Sequence, residues 1–219
     1  MRWAPLLHTR LGLSLDRVIA AVVRGLEAAP LDAVAIVCAL RQDSLSDSVG
    51  LARAAGRWAG RGVVGFDLAG DEARRPNDGA LKPAFDAARS SGLRLTCHAG
   101  EAAGPESIEA ALGYGIERVA HGVTATRSPA LVGRLAAEGI VLDLCPTANW
   151  KCKAVPRLEE HPLAELVRAG VRCTISTDSR TVAGTTLSDE FRLAHEALGL
   201  TEDELTRCNL TAYEAAFSR

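Results

Sequence analysis

The sequence of 219 residues lacks the patterns that indicate a nucleic-acid or a membrane partner. Its 25 Lys and Arg residues are scattered among 27 Asp and Glu residues, so no basic run is present to follow a phosphate backbone. No uninterrupted apolar stretch reaches the roughly 20 residues of a membrane helix, and the first residues do not form a signal peptide. We therefore expect no nucleic-acid and no membrane partner, and a neutral small molecule as the ligand.

Closely spaced cysteine pairs are also absent. The six cysteines, at positions 38, 97, 145, 152, 173 and 208, include no Cys-x-x-Cys pair. Several lie in apolar runs, where a cysteine behaves as a small hydrophobic residue. We expect reduced thiols in a cytoplasmic protein, with disulfides as the less favoured alternative.

Strand and helix patterns alternate along the whole sequence, which is 47% hydrophobic with a mean hydropathy of +0.07 and suits one domain over residues 1–219. Short β-branched runs predict strands at 33–40, 62–67, 94–98, 118–121, 140–144 and 171–176, with a strand end at 2–4. Segments of helical period predict helices at 15–27, 46–59, 81–90, 105–112, 129–138, 162–169 and 188–198.

Near-continuous apolar strands that alternate with helices indicate a parallel sheet buried on both faces. Polar residues follow the predicted strand ends, at Asp67, His98, Glu101, His121, Asn149 and Asp178. In a (β/α)8 barrel such positions share one rim, whereas an open doubly wound sheet collects ligands only around a switch point. We therefore predict an α/β fold, a (β/α)8 TIM-type barrel. It is incomplete in this chain, because six strands and a stub are present and a full barrel needs about 250 residues.

Three polar groups at strand ends are candidates for one shared site. His98 ends a strand and Glu101 lies on the following loop, which suits a metal ligand beside a general acid or base; a solvated strand end is the alternative. His121 ends the next strand and can bind a metal or orient a water molecule. Asp178, taken alone, is typical of a cap or turn, but as the third polar group it is a candidate metal ligand.

The remaining histidines and one tryptophan receive plainer interpretations. His161 precedes Pro162 at a predicted helix start, which is typical of a surface or capping group, and His195 is interpreted as structural. Trp150 directly follows Asn149 on the predicted rim, where it can shape a pocket.

Taken together, these motifs and their order resemble the adenosine deaminase family of amidohydrolase-like barrels. The matching segments are RWAP at 2–5 with His8, DLAGDE at 67–72, HAGE at 98–101, RVAHG at 118–122, CPTAN at 145–149 and STD at 176–178. The match is colinear from the first residues to at least Phe191, with Ala148 as one change within the fifth motif. The resemblance implies that the chain begins inside the second barrel strand, so that the first strand and part of the second are missing.

The resemblance implies zinc-dependent hydrolytic deamination of a 6-aminopurine nucleoside, which converts adenosine to inosine and ammonia. It implies that His98 and Asp178 are zinc ligands, that Glu101 protonates purine N1, and that His121 orients the zinc-bound hydroxide. It also implies that Gly70 approaches the purine through its backbone, which a residue without Cβ permits. Zinc would supply hydroxide at neutral pH by lowering the pKa of bound water from 15.7 to about 7.

Two features depart from the family's pattern. Ser179 stands where many members have a second Asp that contacts purine N7, and its hydroxyl can bond the ring nitrogen without bringing a charge. The family's His-x-His pair, which supplies two zinc ligands, is absent, since the five histidines lie at 8, 98, 121, 161 and 195. A catalytic zinc normally keeps three protein ligands, so we expect poor zinc affinity for this chain alone.

Three hypotheses follow. The first is a deaminase of adenosine, the second is a non-catalytic remnant that binds a purine or a protein partner, and the third is a family deaminase that acts on adenine or a modified adenosine. Zinc cytidine deaminases are disfavoured because neither their H-x-E nor their P-C-x-x-C element is present. Ligand type alone does not exclude another divalent metal, and the sequence leaves the oligomeric state open.

Overall fold

The computed structural model describes residues 1–217, in which seven strands alternate with helices. The strands are β1 (Arg2–Trp3), β2 (Ala35–Leu40), β3 (Val63–Ala69), β4 (Arg94–Ala99), β5 (Arg118–His121), β6 (Val141–Leu144) and β7 (Arg172–Ile175). The α-helices are α1 (Leu15–Glu27), α2 (Leu45–Gly56), α3 (Lys82–Ser90), α4 (Pro105–Leu112), α5 (Pro129–Glu138), α6 (Pro146–Lys151), α7 (Leu163–Arg168), α8 (Arg180–Ala183), α9 (Leu187–Glu196) and α10 (Glu202–Glu214). In this described part of the chain, no helix has both the length and the apolar character needed to cross a bilayer.

The strands form a seven-stranded sheet whose order follows the chain from β1 to β7, and the described pairings are parallel. An open doubly wound sheet reverses its strand order at a switch point, and no reversal occurs within residues 1–217. The prediction of a parallel α/β fold is therefore confirmed, and the doubly wound alternative is wrong.

Local sequence signals account for most of the element boundaries. α1 begins after Ser14, whose hydroxyl accepts a hydrogen bond from the Arg17 amide, and α5 ends at Gly139, whose φ is 66°. The predicted bounds of α1, α4, α5 and β5 are confirmed, and those of the other predicted elements differ by a few residues. The sequence pattern did not predict α10, although Thr201 and Glu204 form a capping box at its start.

The chain divides into two compact units. The first contains residues 1–97 and 110–117 together with Phe217, and the second contains residues 98–109 and 118–216. The single domain over residues 1–219 stays a prediction.

Aromatic rings form part of the core of the first unit. Phe85 stacks on Tyr114, with ring centroids 4.5 Å apart, and meets Phe66 edge to face at 5.3 Å. Phe217 packs with Ile36 and Val64 at a second point, so a residue that follows α10 is part of this core.

A buried ion pair joins the strands of the second unit. Arg118, the first residue of β5, donates from Nη2 to Asp143 Oδ1 on β6 at 2.8 Å. Thr174 on β7 donates to the same oxygen at 3.0 Å, and Arg118 Nη1 also donates to the carbonyl of Ala215 at 3.0 Å. The ion pair therefore connects β5, β6 and β7 to the chain after α10.

Replacing Gly100 by alanine should destabilise the protein. Gly100 has a φ of 66°, and an added Cβ would lie 2.4 Å from Ile108 Cδ1 and 2.8 Å from Thr124 Oγ1. We expect Gly100→Ala to lower the free energy of unfolding by roughly 1–3 kcal/mol in urea denaturation. The control is Gly133→Ala, an exposed α5 position with nothing within 4 Å of the new Cβ, which should raise stability by up to about 1 kcal/mol. Equal stability of the two variants would contradict this steric account.

Candidate active site

Three of the predicted site residues come together in the second unit, where β4 and β5 end. His98 lies in β4, Glu101 lies on the loop after it, and His121 is the last residue of β5. The imidazole rings of His98 and His121 have centroids 5.1 Å apart. His121 Nε2 lies 3.6 Å from Glu101 Oε2. The sequence prediction that these three side chains share one site is supported by this geometry.

Backbone hydrogen bonds hold the two loops that carry these residues. The Gly122 amide donates to the carbonyl of Ala99 at 2.9 Å, and the Thr124 amide donates to the carbonyl of Gly100 at 3.1 Å. The Thr124 hydroxyl lies 3.0 Å from the carbonyl of Ala103. The loop that carries Glu101 is therefore tied to the loop that follows His121.

His121 is held in an uncommon conformation. Its side chain is buried, and its φ of 69° lies in the left-handed region, which costs free energy for a residue with a Cβ. Its Nδ1 lies 3.1 Å from Asn149 Nδ2. Such strained backbone concentrates at functional sites, which is consistent with a role for His121.

Asn149, on α6, is the fully buried centre of a hydrogen-bond network. Besides contacting His121, its Oδ1 accepts from the Cys145 amide at 3.2 Å and lies 3.1 Å from His161 Nε2. From the sequence, Asn149 is one of the polar residues that follow strands, but no function was predicted for it. The structure shows that it contacts a candidate catalytic residue directly.

His161 is only 5% exposed, so its interpretation as a surface or capping group was wrong. Its Nδ1 accepts from the Leu163 amide at 3.3 Å. Burial, and secondarily the charge of His121, lowers the pKa of His161 from 6.5 to about 3. No local pattern marks the residue as buried, because its position depends on contact with Asn149 twelve residues earlier.

Cys152 contacts the candidate proton donor. Its Sγ lies 3.2 Å from Glu101 Oε1. Partial burial, with a further contribution from the charge of Glu101, raises the pKa of the Cys152 thiol to about 11. The thiol is therefore protonated at neutral pH and donates to the carboxylate. None of the six cysteines forms a disulfide, and Cys152 alone among them is exposed.

The two predicted ligands His98 and Asp178 do not make a complete metal site. Asp178 follows β7 and has a φ of 54°, and both Asp178 and the neighbouring Ser179 are exposed. Across residues 1–217, no group of three or more His, Cys, Asp or Glu side chains is placed to hold one metal ion. A catalytic zinc normally keeps three protein ligands, so these residues alone do not fit that group.

The whole DLAGDE segment at 67–72 lies in the first unit. Gly70 directly follows β3 with a φ of 106°, a backbone conformation that residues with a Cβ rarely adopt, so glycine is favoured there. Asp67 lies inside β3, fully buried, with Oδ2 3.7 Å from Arg2 Nε. The expectation that Asp67 follows its strand on the rim was therefore wrong.

The structure also describes His195 and Trp150. His195 Nδ1 lies 2.8 Å from the carbonyl of Leu200, which agrees with a structural role. Trp150 is 43% exposed at the end of the buried part of α6.

The buried neutral His161 should make the protein acid-sensitive. The folded state keeps this ring neutral, whereas the unfolded chain takes up a proton near pH 6.5, so stability is lost as the pH falls from about 6.5 towards 3. Between pH 7 and pH 5, we expect the wild-type free energy of unfolding to fall by about 2 kcal/mol more than that of His161→Gln, which has no titrating ring. Urea denaturation at the two pH values measures this difference, and parallel pH profiles would contradict the assignment.

Comparison with known proteins identifies the family of this chain. The adenosine deaminase family model matches residues 1–219. An adenosine deaminase from Lacticaseibacillus casei is 37% identical over 99% of this chain, and an adenine deaminase from Chelativorans sp. is 46% identical over 71% of it. The chain spans 65% and 48% of the length of these two curated relatives.

Solved structures show the same fold. The N6-methyl-AMP deaminase from Arabidopsis thaliana matches all of this chain with a TM-score of 0.87 and 25% identity, over 67% of its own length. An amidohydrolase from Burkholderia ambifaria with bound Zn matches all of it with a TM-score of 0.89 and 23% identity, over 62% of its own length. The prediction of a TIM-type barrel that is incomplete in this chain is confirmed. Because the family model covers every residue, this chain belongs to the adenosine deaminase family.

Proposed function

We propose that the site of this chain serves the hydrolytic deamination of a 6-aminopurine nucleoside, which converts adenosine and water to inosine and ammonia. The observation that carries the proposal is the pair of Glu101 and His121. Glu101 Oε2, which is partly open to solvent, lies 3.6 Å from Nε2 of the buried His121 ring, where β4 and β5 end. A general acid beside a group that orients water is what this hydrolysis requires.

Each of the two side chains has a separate role in the proposed reaction. Glu101, in its acid form, gives a proton to purine N1, so that negative charge does not build up on the ring while water attacks C6. His121 orients the attacking water through Nε2. The C6–O bond forms and the C6–N bond breaks. One proton of the water goes to the amino group, which leaves as ammonia, and the other water proton restores the proton that Glu101 gave to N1.

Gly70 and Ser179 are the proposed contacts to the purine. The support for Gly70 is its exposed position and its lack of a Cβ, and the support for Ser179 is its exposed position next to Asp178. A hydroxyl donates or accepts a hydrogen bond without a charge, so we expect Ser179 to bind the ring more weakly than a carboxylate would.

We further propose His98 and Asp178 as two protein ligands of a zinc ion, which would activate water when bound. The support is the resemblance of both motifs and the Zn in the Burkholderia ambifaria amidohydrolase. Because two ligands do not complete a catalytic site, the roles of Glu101 and His121 are stated without a step on the metal. A cytoplasmic location is part of the proposal and is supported by the six free cysteines.

The second candidate is deamination of adenine or a modified adenosine at the same site. It is favoured by the names of two relatives, an adenine deaminase and an N6-methyl-AMP deaminase, and by the uncharged Ser179. The third candidate, a non-catalytic remnant that binds a purine or a protein partner, is favoured by the lack of a three-ligand group among residues 1–217.

Replacing Glu101 by glutamine should abolish turnover, because the amide has no acidic proton to give. With the full chain, we expect the ultraviolet change from adenosine to inosine to slow by about 100-fold or more in Glu101→Gln. Glu109→Gln, an exposed change on α4, is the matched control and should keep wild-type activity.

Each result separates two of the candidates. Turnover by Glu101→Gln at the wild-type rate would show that Glu101 is not the acid. A preference for adenine or N6-methyl-AMP over adenosine would favour the second candidate. A folded chain that binds no zinc and turns over none of these compounds would favour the remnant.

A further inference from the structure

We propose that His161 is a positioning residue that acts on His121 through Asn149 and fixes His121 with its proton on Nε2, the nitrogen that faces Glu101. The proposal deepens the proposed function, because it assigns a source for the orientation of a candidate catalytic residue. It rests on the hydrogen-bond network of the second unit, in which all of these residues lie.

The orientation of the Asn149 carboxamide is the first step. A backbone amide can only donate, so the atom that faces the Cys145 amide at 3.2 Å must be the oxygen Oδ1. The other end of the carboxamide is then the amino group Nδ2, which can only donate. This group lies 3.1 Å from His121 Nδ1.

The state of His121 follows from this orientation. Because Nδ2 donates, His121 Nδ1 must accept and cannot carry a proton. The neutral ring therefore holds its proton on Nε2, 3.6 Å from Glu101 Oε2. A proton on Nδ1 would place two donors against each other at a buried position, which costs about 1–3 kcal/mol for an unsatisfied polar group.

His161 secures the same orientation from the opposite side. Its Nδ1 accepts from the Leu163 amide at 3.3 Å, so its own proton lies on Nε2. That Nε2 then donates to Asn149 Oδ1 at 3.1 Å. Two donors thus converge on Oδ1, and a flip of the carboxamide would set both of them against an amino group. Burial keeps the pKa of His161 far below neutral, so this donor pattern persists at physiological pH.

The consequence concerns the site and not only the fold. Which nitrogen of a histidine carries the proton is set by the hydrogen bond that the other nitrogen makes. His161 acts on the site only indirectly: through Asn149 it determines that His121 directs a protonated Nε2 towards Glu101. The expected result of disturbing His161 or Asn149 is a changed His121 tautomer in a folded protein.

The tautomers can be read from two-bond 1H–15N correlation spectra of the full chain labelled with 15N-histidine, at pH 7. The signals of the five histidines are assigned by single His→Gln changes. We expect both His121 and His161 to show a pyridine-type Nδ1 and a pyrrole-type Nε2. A pyrrole-type Nδ1 on His121 in the wild-type protein would overturn the proposal.

Three variants test the hydrogen bond between Asn149 and His121 and the one between His161 and Asn149 separately. Asn149→Asp keeps the shape and both accepted hydrogen bonds but cannot donate, so His121 Nδ1 should become protonated. His161→Leu should introduce a second His121 tautomer, and His161→Gln, whose amide can still donate to Oδ1, should restore the wild-type His121 signal. An unchanged His121 spectrum in Asn149→Asp would refute the role of Asn149, and an unchanged one in His161→Leu would refute the role of His161.

Activity supplies an independent measurement. If the chain deaminates adenosine, Asn149→Asp should lower kcat by about 100-fold or more with KM little changed, and His161→Gln should retain more activity than His161→Leu. A wild-type chain with the expected tautomers but no turnover would contradict the proposed function and leave the positioning inference standing. Normal kcat in a variant whose His121 tautomer has changed would show that the tautomer has no catalytic role.

Discussion

The buried carboxamide of Asn149 sets the geometry of the candidate site. It bonds the backbone where α6 begins, the ring of His121 at the end of β5, and the ring of His161 just before α7. A buried polar group that loses its partner costs about 1–3 kcal/mol, so none of these three segments can shift without a penalty. The network therefore both stabilises the second unit and orients a candidate catalytic histidine.

A second polar contact supports these same strands. Arg118 at the start of β5 pairs with Asp143 on β6, and Thr174 on β7 shares the carboxylate. Asp143 is buried and Arg118 is partly buried, so the loss of Arg118 would leave a buried carboxylate without its charged partner, which destabilises the folded state. The two contacts lie at different points along β5, one at its first residue and one at its last, so they fix its register along its whole length.

Family membership and metal chemistry are separate questions for this chain. The family model matches the whole chain, and three of the residues that the family motifs supply lie together in the structure. The same motifs contribute only two candidate zinc ligands, whereas His121 Nε2 and Glu101 Oε2 lie 3.6 Å apart within one hydrogen-bonded group of side chains. The hydrogen-bonded part of the site is therefore defined by this chain alone, whereas a catalytic metal needs ligands in addition to His98 and Asp178.

The sequence was enough to predict the alternation of strands and helices, the parallel α/β class, and the convergence of His98, Glu101 and His121, because hydrophobic periodicity and the placement of polar residues after strands are local signals. It did not determine the burial of His161, the contact between Cys152 and Glu101, or the position of Asp67 inside β3. These features depend on which segments of the chain meet. His161 lies 12 residues from Asn149, Cys152 lies 51 residues from Glu101, and Asp67 lies 65 residues from Arg2. Contacts between distant segments set the burial and the partner of each of these polar side chains, and local periodicity does not encode such contacts.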